Sequence, residues 1–193
     1  MIKLFLVRHG EATEGWTSKD PPLSDLGKSQ ALSLAPFIDK IDLNKVDLVS
    51  SPLTRCKETA NLALSKFKQE VEINDIFREL PSPIADLEKR VIWLRRVLPL
   101  TWPELLSDEE TIASGVDLNE WREKIIDKIY SLKNDTIIFT HFVVINNIIG
   151  HIMSSEKIVN FQPANCSVTV SYTHLRAHET KANLVCRRLL EKK

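Results

Sequence analysis

Three polar stretches hold side chains that could do chemistry together: Arg8-His9-Gly10, Ser51-Pro52-Leu53-Thr54-Arg55, and Thr140-His141. Two guanidinium groups can grip a tetrahedral oxyanion through paired N–H donors, a geometry that lysine does not offer. Two imidazoles can carry protons near neutral pH, or attack as nucleophiles when neutral. Taken singly, these residues decide little. His9 alone, after an apolar strand, would more often be structural, and Arg55 alone would read as a surface helix residue. Their neighbours change that. Arg8 beside His9 is expensive to bury without an anion, and Arg55 follows a Ser-Pro pair that reads as a helix start.

For these groups to meet, the fold must bring several strand ends to one edge. Ile2 to Val7 is nearly continuous in apolar residues, as strands covered on both faces are. Val46 to Ser50, a segment near Val71 to Ile73, and Thr136 to Thr140 read as further strands, with another beginning at Ser167 to Val170. Helical patterns alternate with them. Ser24 caps a helix expected to reach about Ile38, with Ala31, Leu34 and Ile38 inward. Ser51 as N-cap and Pro52 at the first position open a second, with an inward stripe of Cys56, Ala60, Ala63 and Phe67. Ile84 to Leu98 follows, with Leu87, Val91, Leu94 and Leu98 inward. Asp117 and Glu120 resemble a capping box before Trp121, Ile125, Ile129 and Leu132, and Phe142 to Gly150 is the last helix. Strand–helix alternation predicts one α/β domain, three-layered, with a largely parallel central sheet. In such sheets ligands sit at the carboxyl ends of the strands, and Arg8, His9, Arg55 and His141 all follow strand ends. Arg55 adds a first-turn position, where free N–H groups favour an anion.

Arg8-His9-Gly10-Glu11 resembles the RHG motif of the histidine phosphatase (phosphoglycerate mutase-like) superfamily. Asp20-Pro21-Pro22-Leu23-Ser24 with Gly27, Gln30 and Ala31 resembles the next segment. Ser51 to Arg55 with Glu58, Thr59 and Ala60 resembles the one bearing the second arginine, and Thr140-His141 resembles the second catalytic histidine. The resemblance implies a phosphoglycerate mutase-like fold and metal-independent hydrolysis of phosphomonoesters with no cofactor. His9 would form a phosphohistidine, and Arg8, Arg55 and His141 would bind the phosphoryl oxygens. Glu79 would be the leaving-group acid and later the base, with Asp75 and Glu11 as the next candidates. Gly15 stands where many members carry a phosphate-contacting asparagine, and Phe142 replaces a common glycine. The insertion and signature of cofactor-dependent phosphoglycerate mutases are absent, so hydrolysis is expected over mutase activity. A noncatalytic phospho-ligand binding protein is the alternative from another class, and it would not need Glu79.

Residues 81–116 fall where the family places a lid over its pocket. There Trp93, Arg95, Arg96 and Trp102 read either as an amphipathic helix with a solvated basic face or as further anion contacts. Residues 170–193, VSYTHLRAHETKANLVCRRLLEKK, resemble an in-frame translated sequencing adapter. On that reading the family domain is 1–169, truncated at its C-terminus, and His174, His178 and Cys186 carry no function. Leaving the segment out turns 26 basic and 26 acidic residues into 20 and 24, a net charge of −4. Neither balance points to nucleic acid or an anionic membrane. No apolar run is long enough to span a bilayer. No His/Cys spacing indicates a metal. Three unpaired-looking cysteines fit a reducing cytoplasm. The expected partner is a phosphorylated small molecule or a phosphoprotein.

Overall fold

The computed structural model describes residues 2–14 and 18–173. Five strands form one sheet: β1 (Ile2–Arg8), β2 (Val46–Ser50), β3 (Glu72–Ile73), β4 (Asp135–Thr140) and β5 (Val168–Thr173), in the order β3-β2-β4-β1-β5. The first four are mutually parallel, and β5 closes the edge antiparallel to β1. Successive side chains of a strand point to opposite faces, and both faces are apolar here. Leu4, Leu6 and Ile138 face α7 (Leu118–Ser131) and α8 (Phe142–Ile152). Val7, Ile137 and Phe139 face α1 (Asp25–Leu32), α2 (Ala35–Ile38) and α3 (Thr54–Ala63). The expected three-layer α/β/α architecture with a largely parallel sheet is what forms.

Register sets the site. Arg8 lies opposite Thr140 and Ser50 opposite Phe139, so His9, Ser51 and His141 leave three adjacent strands side by side.

Several expectations change. The helix from Ser24 does begin with that cap, its side chain accepting from the Gly27 N–H. It stops at Leu32, because Pro36 lacks an N–H to continue the ladder, and α2 starts afresh around that proline. Ser51 is not an N-cap. Its hydroxyl is committed to His141 at 2.8 Å, and α3 begins at Thr54, where Asp20 accepts from the Thr54 N–H at 2.7 Å and from its hydroxyl at 2.8 Å. The segment 81–116 holds three helices rather than one: α4 (Leu87–Val97), α5 (Trp102–Leu106) and α6 (Glu109–Ser114). Asp86, Thr101 and Asp108 cap them, each through its own side chain. The first two helices share a third apolar cluster in which Trp93 and Trp102 are buried with Leu105, Leu118 and Val143. The strand β5 runs across the expected boundary at residue 169, and residues 174–193 lie outside the described ones.

Two glycines hold the loop after β1 against α1. A Cβ on Gly10 would sit 2.5 Å from the Gly27 carbonyl oxygen, and one on Gly27 would sit 2.0 Å from that of Glu11. Both contacts are backbone on backbone, so no side chain can swing away. Gly27→Ala is therefore expected to cost about 1–3 kcal/mol, as overpacking does, read as a lower urea midpoint. It should also depress activity, because the displaced segment carries His9. Wild-type stability in that variant would refute the close-approach argument.

Candidate active site

His9 and His141 come together with ring centroids 5.3 Å apart. Arg55 lies across both. Its Nε donates to His9 Nε2 at 3.3 Å and its Nη2 to His141 Nδ1 at 3.2 Å. A guanidinium can only donate, so both of these ring nitrogens must present lone pairs. The hydrogen-bond network thereby assigns the tautomers. His9 carries its proton on Nδ1, donated to the Gly10 carbonyl at 2.7 Å, and His141 carries its own on Nε2, donated to Ser51 Oγ. Both imidazoles are neutral. Burial, then Arg55 and Arg8, hold His9 down at about 3 against the Gly10 bond, which pulls the other way. Burial, followed by Arg55 and His9, keeps His141 well below its ordinary value.

The positions of these groups are built in from behind. The Gly10 N–H donates to Thr59 Oγ1 at 3.0 Å, and that hydroxyl donates to the Arg55 carbonyl, tying the His9 loop to α3. Asn165 donates to the His9 carbonyl at 3.0 Å, and Arg8 Nη1 donates to the Pro163 carbonyl at 2.8 Å. The Phe142 ring lies 5.2 Å from the Arg8 guanidinium, so this departure from the family pattern gives Arg8 a cation–π partner. Gly15 lies outside the described residues.

A cavity of about 150 Å³ is lined by Arg8, His9, Arg55, Glu79 and Arg90; His141, fully buried, is not on its wall and reaches it through Arg55. Glu79 Oε1 accepts from the Leu80 N–H at 3.0 Å and from the Val143 N–H at 3.2 Å. Burial nonetheless raises its pKa, outweighing those bonds and the nearby Arg55 and Arg8. Arg8 Nε, Arg55 Nη1 and Arg90 Nε are buried with no hydrogen-bond partner, the Asp20 carboxylate standing 3.8 Å from Arg55 Nη1. Buried cationic donors left unmatched are costly, and three of them on one cavity make it a receptor for an anion. Asp75 instead pairs with Arg78 on the surface, and Glu11, though at the cavity, accepts from the Ser24 hydroxyl.

Within 81–116 the two tryptophans and the two adjacent arginines do not face the cavity. Trp93 and Trp102 are core, the latter with the Arg122 guanidinium 4.2 Å from its ring. Arg95 and Arg96 are exposed, and Arg96 pairs with Asp108 and Glu110. The cation that does face the cavity is Arg90. Its signal was in the periodicity: it lies one and two turns before Leu94 and Leu98, a charge on the inward stripe. Asn165 had no comparable signal.

Two buried neutral histidines make the fold acid-sensitive. Both folded pKa values lie below the unfolded value near 6.5, so below that pH the unfolded chain binds more protons. Unfolding free energy should fall by up to roughly 1.4 kcal/mol per pH unit per histidine as pH drops. For His9 the loss continues down to about 3. Urea titrations at pH 7 and pH 5 check this, and His9→Ala should shrink the difference. An equal difference in that variant would show that His9 is not the source.

A family model described as the histidine phosphatase superfamily (branch 1) matches residues 4–185. A broad-specificity phosphatase of Saccharomyces cerevisiae is 32% identical over 75 residues, 36% of this chain. The match spans only about a third of that relative's length, 33%. Among solved structures, a mutant phosphoserine phosphatase from Entamoeba histolytica in complex with phosphoserine superposes with a TM-score of 0.70 at 22% identity, covering 98% of this chain and 100% of the other. A phosphoglycerate mutase from Bacillus anthracis gives 0.65 at 22% identity, covering 88% and 86%. These two likenesses establish the fold.

Proposed function

The chain belongs to the histidine phosphatase superfamily, branch 1, and on that premise we propose that it hydrolyses small phosphomonoesters through a phosphohistidine on His9. The observation that carries this is the pairing of a fixed lone pair on His9 Nε2 with unmatched guanidinium donors of Arg8 and Arg55 around one cavity. An arriving phosphoryl group would draw the Arg55 Nε–H onto its own oxygen and so uncover the nucleophile. The Nε2–P bond then forms as the P–O ester bond breaks. Arg8 and Arg55 offset the charge on the equatorial oxygens, as a metal ion does in other phosphoryl-transfer enzymes. Burial does most to keep His141 neutral, and Arg55 adds to it; a phosphoryl dianion would offset the arginine contribution and favour a proton on Nδ1, which would then donate as well.

Glu79 supplies the proton to the leaving oxygen. Its Oε1 is held by two backbone N–H groups, which leaves Oε2 to carry the proton. The resulting carboxylate then accepts a proton from water, whose oxygen attacks phosphorus and releases phosphate and free His9. A binding protein has no use for a carboxyl with a raised pKa in this place, so turnover is favoured over ligand storage. The cavity, well under the ~300–1,000 Å³ of drug-sized sites, favours a small ester over a phosphoprotein. The relatives that act on phosphoserine or carry the phosphoglycerate mutase name are consistent with this scale. Cys56 and Cys166 are free thiols, in keeping with a reducing compartment, the cytoplasm. Among the described residues no helix is long and apolar enough to cross a membrane.

The test is hydrolysis of a panel of aryl and alkyl phosphates in EDTA, with alkaline quenching to trap acid-labile label on the protein. Turnover without added metal and label on His9 are expected. A protein that hydrolyses nothing on the panel, or takes label elsewhere, would end the proposal.

A further inference from the structure

Resting on that reading, we propose that Arg90 and the apolar wall beside it form a subsite for a second anionic group, a carboxylate, on the substrate. The first support is a charge inventory. Three guanidinium groups, Arg8, Arg55 and Arg90, line the cavity. The carboxyl deepest among them, Glu79, is pushed by burial toward its neutral form, and Glu11 lies exposed with its oxygen on Ser24. Arg55 has the Asp20 carboxylate 3.8 Å from its Nη1, so with a phosphate dianion on Arg8 and Arg55 the cation left without a partner is Arg90.

The second support is the state of Arg90 itself. Its Nε is buried without a hydrogen-bond partner, and no ion pair within 4.0 Å is found for it among the described residues. Arg95 and Arg96, on the same helix, are exposed instead. The third support is what surrounds it. Leu94 and Leu98 line the cavity with Arg90, and spacings of four and eight residues place them about 6 and 12 Å further along α4. With Phe142 they give a short apolar surface suited to a carbon chain. A planar fork suits a carboxylate, which it can hold by two parallel bonds.

Arg90 could instead act through Glu79, the opposing charge that it feels. The two roles part on substrate dependence, because a group acting through Glu79 affects two alkyl esters alike whether or not they carry a carboxylate.

A matched pair isolates the second charge: phosphoglycolate and ethyl phosphate, which differ in a carboxylate for a methyl. Wild-type kcat/KM is expected to favour phosphoglycolate by roughly 10–100-fold, the range of a hydrogen bond to a charged group. In Arg90→Gln the ratio should fall to near one, chiefly through KM, and Arg90→Lys should restore part of it. An unchanged ratio in Arg90→Gln, or no preference in the wild type, overturns the subsite. Calorimetric binding of the same two esters to His9→Ala, with and without Arg90→Gln, repeats the comparison without turnover. A carboxylate preference that depends on Arg90 there, with no hydrolysis by wild type, would keep the subsite and end the phosphatase reading. Its absence there would overturn the subsite whatever the enzyme hydrolyses.

Discussion

His9→Ala is expected to lower kcat/KM for p-nitrophenyl phosphate by at least ~10⁴-fold, a barrier increase of about 5.4 kcal/mol. Phosphate affinity should hold or improve. The variant deletes the atom that forms the covalent bond, and no neighbour can replace it. Cys56 is nearby, its Sγ 3.4 Å from His141 Nε2, but it does not line the cavity. Burial drives its thiol pKa up, and only a thiolate would attack. His141 points its lone pair at Arg55 and its proton at Ser51. Binding behaves differently, because in the resting site His9 Nε2 and an incoming anion compete for the same Arg55 Nε–H. Removing the imidazole removes that competitor. A purely structural His9 would lose binding and activity together, in proportion to unfolding. Far-UV circular dichroism, phosphate titration and kinetics on one preparation separate these outcomes, and turnover within tenfold of wild type would defeat the nucleophile assignment.

The positions of His9, Arg55 and His141 were legible because each follows a segment that reads as a strand, the first of them nearly continuous in apolar residues. Parallel strands covered on both faces put their carboxyl ends at one edge, so strand prediction was already site prediction. Ser51 departs from the expected cap because its hydroxyl has a distant partner. Ser-Pro before a helical pattern is a local signal, and the competing use of the hydroxyl, 90 residues away on His141, is not local. Asp20 took the capping role from 34 residues upstream, which no window along the chain would reveal. Arg90 was visible in the pattern but masked by its louder neighbours. Trp93, Arg95, Arg96 and Trp102 stand out by residue type, whereas phase on the helix decides which side chain faces the cavity. Asn165 acts by donating to a backbone carbonyl, and backbone partners leave no trace in residue identity.

The unmatched guanidinium groups tie these observations to energetics. Arg55 is 7% exposed and His141 fully buried, and the resting site satisfies them mainly by bonding them to each other. That arrangement holds the imidazoles neutral and correctly oriented, yet leaves Arg8 Nε and Arg55 Nη1 without acceptors. An anion that supplies those acceptors binds the folded state alone, and at 100 times its dissociation constant would add about 2.7 kcal/mol of stability.

Glu79→Gln should divide substrates by leaving group. For alkyl phosphates, whose departing oxygen needs a proton as the ester bond breaks, kcat/KM is expected to fall by roughly 10²–10⁴-fold. For p-nitrophenyl phosphate, whose leaving oxygen is stable as an anion, kcat/KM should change far less. Its kcat should still drop, because the same residue serves as base when water attacks the phosphohistidine. Glutamine keeps the acceptor that the Leu80 and Val143 N–H groups require, so packing is preserved and only the transferable proton is lost. The pH profile adds a second reading. As an acid Glu79 must be protonated, and burial extends its protonated range upward against the pull of Arg55 and Arg8. Wild-type kcat/KM on alkyl substrates should therefore decline as pH rises through that raised value. His9 adds no decline on the acid side of the free enzyme until about 3. In Glu79→Gln the high-pH decline should vanish, since the group that titrates is gone. Equal losses with alkyl and aryl esters, or a high-pH decline that survives the substitution, would show that the proton comes from elsewhere.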